Sequence, residues 1–377
     1  MRINYTNRIF GLDIVRAIAI LLILISHTSL LIAPANTGLF TTAIKLGGAI
    51  GVDIFFVLSG YLIGGILLRN IIQGKGGFGH FLYFWIRRWF RTLPNYYLIL
   101  LVNILLGIFV FSDLAEDYLS YFFFLQNFNG PQSNFFTESW SLSIEEFSYV
   151  LGPLLLFFLL NAFGLRRGKS CFLFTTAVVI VLFIGSKFWY HFNIQNVDYS
   201  FWSANVRKTV IYRLDSIYYG FLGAYAISFI PFVKKYASLL FAAGIGLLIG
   251  IHGFMFFKSF TVTSHPMFYN VFYLPSISVA VLLMMFKMNA VTKAPMPIVR
   301  TVTFVSLTSY SIYLLNYSIV LLLLQKYLAT PETLLGKMML IIVFWSLTIS
   351  FSYILYAFYE KPMMKLRDHH FFVGLFK

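Results

Sequence analysis

Arginine and histidine are costly in hydrocarbon and mark a path or a site when they occur there. Arg16 and His27 both lie inside one apolar run, Leu12 to Ile32. Their spacing of eleven residues is about three helical turns, so the two side chains leave one face about 16 Å apart along the axis. An imidazole titrates near neutral pH and suits general-base work. The bland alternative has Arg16 snorkelling to the headgroups and His27 packed as a core histidine. Asp53, in Gly51-Val52-Asp53-Ile54-Phe55-Phe56, opens the second apolar run and is expected at the depth of His27. There it would fix the imidazole tautomer; it would equally serve as the amino-terminal cap of its helix. Glu138, Glu145, Glu146, Asp198, Arg213 and Asp215 are expected on the same outer side. Toward the cytoplasm, Arg69, Lys75, Arg87, Arg88 and Arg91 gather between the second and third runs. Arg88 and Arg91, three apart, share a helix face and suit a single polyanion such as a phosphorylated cofactor. Anionic lipid headgroups are the alternative partner.

The elements that must hold these residues are membrane helices. With 59% hydrophobic, 20% aromatic and 11% charged residues over 377 positions, the composition exceeds what a soluble domain can hide. Runs long enough to span occur near 12–32, 46–67, 94–112, 142–161, 171–190, 210–230, 237–257, 269–286, 302–324 and 338–358, which predicts an all-α polytopic bundle of about ten spans. Gly79 to Leu93 and Tyr118 to Phe128 read as interfacial or re-entrant pieces. A cytoplasmic amino terminus puts nineteen lysines and arginines in inside segments against seven outside, so both termini are expected in the cytoplasm. The formal charge of +15 is then a topology signal, and no nucleic-acid partner is expected. The chain reads as one domain, 1–377, with no fused extracytoplasmic domain.

Other patterns carry little. Gly74-Lys75-Gly76-Gly77-Phe78-Gly79 fits G-x-G-x-x-G but follows a span instead of a strand, so it reads as a hinge. Asn4-Tyr5-Thr6 and Asn316-Tyr317-Ser318 are sequons placed in cytoplasm or membrane. His265, His369 and His370 look like loop or tail residues. No cluster has metal-ligand spacing, so no metal is expected. Cys171 is alone and reads as packing. Ala33-Pro34-Ala35 resembles a signal cleavage site, but the preceding run is too long and contains Arg16 and His27.

Seven motifs nevertheless stand in one order. They are Leu12-Asp13 with Arg16-Ala17-Ile18-Ala19 and His27; Gly51 to Ile63; Arg88-x-x-Arg91-x-x-Pro94; Trp140-Ser141-Leu142-Ser143-Ile144-Glu145-Glu146; Arg213 with Gly220; Ser309-Tyr310-Ser311-Ile312-Tyr313-Leu314-Leu315; and Glu360-Lys361-Pro362. Together they resemble the acyltransferase-3 family of integral-membrane acyltransferases over nearly the whole chain. The resemblance implies a ten-helix bundle in a bacterial inner membrane that moves an acyl group, usually acetyl from acetyl-CoA, onto a sugar hydroxyl at or beyond the outer face. It implies His27 as the catalytic histidine of an Arg-x10-His motif, with Asp53 or Glu145 supporting the imidazolium. It implies Arg88 and Arg91 at the cofactor phosphates, with Arg16 beside the cofactor or holding its helix in register. It makes Arg213, Tyr313 and Asn316 candidates for holding the acceptor.

Two departures matter. Asn316 stands where the family often has histidine, so no second titrating imidazole sits there. Phe147-Ser148-Tyr149 replaces the usual glutamine, phenylalanine, tyrosine. Without a fused domain, the chain is expected to complete transfer itself or to hand the acyl group to a separate extracytoplasmic acyltransferase. Among acceptors, lipopolysaccharide O-antigen leads by family frequency. The competing expectation is a transporter of polysaccharide or lipid-linked sugar, with Arg16 and His27 on a polar path.

Overall fold

The computed structural model describes residues 8–33, 38–257 and 260–366. Asn4-Tyr5-Thr6, Pro34-Ala35, His369, His370 and the basic residues Arg2, Lys258, Arg367 and Lys377 lie outside them. Among the described residues every regular element is helical, and nine helices are long and apolar enough to cross a membrane. In chain order the α-helices are α1 (Phe10–Ile32), α2 (Leu39–Ile72), α3 (Phe78–Leu106), α4 (Ser139–Phe163), α5 (Gly168–Asn193), the short α6 (Tyr199–Trp202), α7 (Asp215–Phe229), the short α8 (Pro231–Lys235), α9 (Ala237–Phe257), α10 (Leu274–Asn289), α11 (Met296–Leu315), α12 (Leu322–Tyr327), α13 (Leu334–Leu355) and α14 (Lys361–Leu366). A π-helical turn, Asn316–Leu321, joins α11 to α12.

The expected polytopic helical bundle is present, with three corrections to its elements. Gly79 to Leu93 is not an interfacial piece: it is the first half of α3, continuous with the third span. Its arginines are tolerated there because Arg88 pairs with Glu145 inside the protein. The run at 210–230 is not a long helix. A 3-10 turn at Val210–Tyr212 precedes α7, whose 15 residues extend only about 22 Å. Its polar head explains the late start, since Arg213 and Asp215 are wholly buried in ion pairs with Asp53 and Lys187. Asp53 does not cap α2: the helix begins at Leu39 after Gly38, more than three turns earlier.

Close helix contact fixes the register of the centre. A Cβ on Gly60 would stand 1.8 Å from the Ile217 carbonyl oxygen, and one on Gly220 2.2 Å from that of Val57. Only glycine lets α2 and α7 meet backbone to backbone, as small residues do in membrane interfaces. Gly48 faces Ser26 and Gly51 faces Ala19 and Ile23, so α1 and α2 run antiparallel. Counting along that register puts Asp53 about six residues, roughly 9 Å, deeper than His27.

Candidate active site

His27 belongs to α1 and is half-buried. Its Nδ1 hydrogen-bonds Oδ1 of Asn316, the first residue of the π-helical turn. Asn316 Nδ2 donates to the carbonyls of Ile312 at 2.7 Å and Tyr313 at 2.9 Å. Both amide hydrogens are thereby used, Oδ1 is left to accept, and His27 Nδ1 must be the donor. The proton sits on Nδ1, and Nε2 keeps its lone pair with no hydrogen-bond partner among the described residues. That is the tautomer a general base needs. Tyr317 meets the imidazole edge-on, ring centroids 4.9 Å apart.

A buried glutamate clamps the turn on both sides of Asn316. Glu138 Oε1 accepts from Ser318 N at 3.3 Å and Ser318 Oγ at 2.6 Å, and the Glu138 carbonyl accepts from Tyr313 OH at 3.0 Å. Glu138 Oε2 has no partner among the described residues. Burial pushes this carboxyl up to about 7. π-helical turns cluster at functional sites, and this one owes its shape to Glu138 and Asn316.

On the other side of Tyr313 lies a cavity of about 710 Å³ between α1, α2, α3, α4 and α11. At one end Lys75, Gly79 and His80 are exposed. Arg16, Arg88 and Arg91 line its middle, and Val52, Phe55, Ser141 and Tyr313 its inner end. Tyr313 OH shares a 2.6 Å hydrogen bond with Ser141 Oγ, and its ring meets Phe55 at 6.4 Å. Arg88 donates to Glu145 Oε2 at 3.2 Å and to Tyr149 OH at 2.5 Å. Glu145 also accepts from Ser59 at 2.9 Å and from Tyr149 at 2.8 Å. Arg16 reaches Ser306 Oγ at 3.3 Å and Asp13 at 3.7 Å. Arg91 has no hydrogen bond or ion pair with any described residue, yet lines the cavity. An unspent guanidinium beside Arg16 and Arg88 has the charge and geometry to hold phosphate.

The structure thus unites some expected residues and separates others. Arg16, Arg88, Arg91, Glu145 and Tyr313 share the cavity, and Asn316 meets His27. Asp53 and Glu145 make no hydrogen bond or ion pair with His27, among the described residues. Asp53 binds Arg213, which is completely buried and lines neither this cavity nor the smaller one described below. Lys187 Nζ reaches Asp215 at 2.5 Å alongside them. Among the described residues no group of three or more metal-ligating side chains is assembled. Glu138, Tyr317, Ser318 and Lys208 were not singled out from the sequence as site residues. Glu138 entered there only as one of the outer-side ionisable groups, and Tyr317 and Ser318 only as neighbours of Asn316.

Known proteins share this chain's pattern. It is 34% identical over 191 residues to the "Putative O-acetyltransferase SACOL0978" of Staphylococcus aureus (strain COL), covering 46% of this chain and 28% of the relative. It is 36% identical over 122 residues to the peptidoglycan O-acetyltransferase OatA of Listeria monocytogenes, covering 28% of this chain and 19% of that protein. For the "Putative peptidoglycan O-acetyltransferase YrhL" of Bacillus subtilis the figures are 34% over 163 residues, 39% and 23%. These alignments span less than a third of each relative's length. No solved structure matches. A family model described as an acyltransferase domain matches residues 9–357, and the chain therefore belongs to the acyltransferase-3 family.

Proposed function

We propose that this protein is a membrane O-acyltransferase that moves an acetyl group from cytosolic acetyl-CoA to a sugar hydroxyl of an envelope glycan, across a bacterial cytoplasmic membrane. The observation that carries the reading is the order of groups along the large cavity. A basic, exposed mouth leads past Arg16, Arg88 and Arg91 to an uncharged end at Tyr313, three residues from Asn316. That order suits a donor with a polyphosphate head and a thin neutral arm ending in a thioester. Arg91 is free to take a phosphate, Arg88 is held in place by Glu145 and Tyr149, and Arg16 adds a third cation. The names of the relatives support acetyl as the group moved. They favour peptidoglycan over lipopolysaccharide O-antigen as acceptor.

His27 Nε2 takes the proton of the acceptor hydroxyl while its oxygen attacks the thioester carbonyl. The carbon–sulfur bond breaks, and the imidazolium returns the proton to the departing thiolate. The products are an O-acetyl sugar and a free thiol. Asn316 holds the Nδ1 proton throughout. Asp53 and Arg213 serve as a structural pair in this reading.

Binding of acetyl-CoA to the detergent-purified protein, followed by isothermal titration, tests the donor site. Arg91→Ala should weaken it about ten- to a hundredfold, the worth of one hydrogen bond between charged groups. Unchanged binding in Arg91→Ala, or none in the parent, contradicts the reading.

A further inference from the structure

A second cavity, about 260 Å³, lies between the 131–137 loop and the 199–208 segment. Its position is on the His27 side. Thr137 lines it and directly precedes Glu138, and Lys208, also in the wall, lies within electrostatic reach of His27. The two segments are tied together by buried Asn127, whose Nδ2 donates to the carbonyls of Trp140 at 2.9 Å and Lys208 at 2.6 Å. Val210 N returns a bond to the Asn127 carbonyl at 3.0 Å. Gln132 Nε2 donates to the Thr137 carbonyl at 2.7 Å, fixing the loop.

The wall chemistry is that of a sugar site. Asn134, Thr137, Ser203 and Tyr199 offer an amide, hydroxyls and a ring face, and the lining contains no leucine, isoleucine, valine or phenylalanine. The volume falls just below the roughly 300–1,000 Å³ of drug-sized pockets, which leaves room for about one ring. Charge then narrows the ligand. Arg207 is engaged, bonding Ser203 Oγ at 3.0 Å and lying 5.0 Å over the Trp140 ring. Lys208 Nζ has no hydrogen bond or ion pair among the described residues, and no carboxylate lines the cavity.

We propose that this cavity is the acceptor subsite, and that Lys208 selects a glycan bearing a carboxylate or phosphate on the ring that enters it. The proposal rests on the O-acyltransferase reading and adds the class of acceptor.

The test uses the full chain in proteoliposomes with acetyl-CoA and three acceptors: a uronic-acid oligosaccharide, its methyl ester, and the neutral parent sugar. The acid should be acetylated with a KM about tenfold lower than the ester, which lacks the charge and adds one methyl group, and lower than the neutral parent sugar. Lys208→Met should raise KM for the acid about tenfold and so abolish the preference for acid over ester, while Lys208→Arg keeps it. Equal use of acid and ester by the parent protein, or an equal loss of both in Lys208→Met, overturns the acceptor assignment while leaving O-acyl transfer standing. No transfer to any sugar overturns both.

Discussion

Asn316 gives His27 an oriented partner without a charge. The amide orders the ring through Nδ1 and leaves Nε2 to react, so its removal should act on the chemical step and not on donor capture. Asn316→Ala is expected to lower kcat about ten- to a hundredfold with donor KM unchanged, since it costs orientation but leaves the base in place. Steady-state kinetics on both substrates would check this, and an effect confined to donor KM would contradict it. Lys208 carries a second prediction at this scale. Burial first, then neighbouring Arg207, lowers its ammonium to about 8. The groups facing it are Arg207, His27 and, across the small cavity, Tyr199. Below about pH 8 the side chain is charged and holds an anionic acceptor; as pH rises through that value the charge is lost. Acceptor KM should therefore climb above pH 8 for the uronic acid and stay level for its ester. A flat acid profile would remove Lys208 from the recognition step.

At the scale of elements, α2 and α7 hold the bundle in register through the glycine contact and the Asp53–Arg213 pair. Truncating one member of a buried ion pair strands the other, at a cost of about 3–5 kcal/mol. Arg213→Met should lower the thermal midpoint in detergent accordingly, and Asp53→Asn in the same chain should restore part of it. Gly220→Ala should fail to yield folded protein, because the added carbon meets the Val57 carbonyl oxygen and the Tyr61 nitrogen at 2.2 and 2.4 Å. These elements also mark where the sequence was legible. The helical bundle followed from hydropathy, and the shared face of Arg88 and Arg91 from a spacing of three, because both are local properties. The run at 210–230 read as one span because hydropathy averages away a single arginine and aspartate. Their partners Asp53 and Lys187 stand 160 and 28 residues away, beyond any local pattern. The same reason hid the partner of His27, since the bond to Asn316 spans 289 residues, while Asp53 suggested itself as the carboxylate of the next apolar run.

Across the whole molecule, a basic cavity opens beside Lys75 and His80, and a small polar one lies between the 131–137 loop and the 199–208 segment. In the proposed reaction the first would take the donor and the second the acceptor, each from its own side of the bilayer. In oriented proteoliposomes, acetyl-CoA should be consumed only from the face that carries Lys75 and His80, with O-acetyl sugar formed on the other. Consumption from both faces in a sealed, uniformly oriented preparation would contradict this division.

Reconstituted His27→Ala asks whether this imidazole performs the transfer. Given radiolabelled acetyl-CoA and an acceptor glycan, the variant should bind the donor as the parent does yet form O-acetyl sugar at least a hundredfold more slowly, the lower range for losing a positioned base. Transfer at the parental rate would remove His27 from the chemical step.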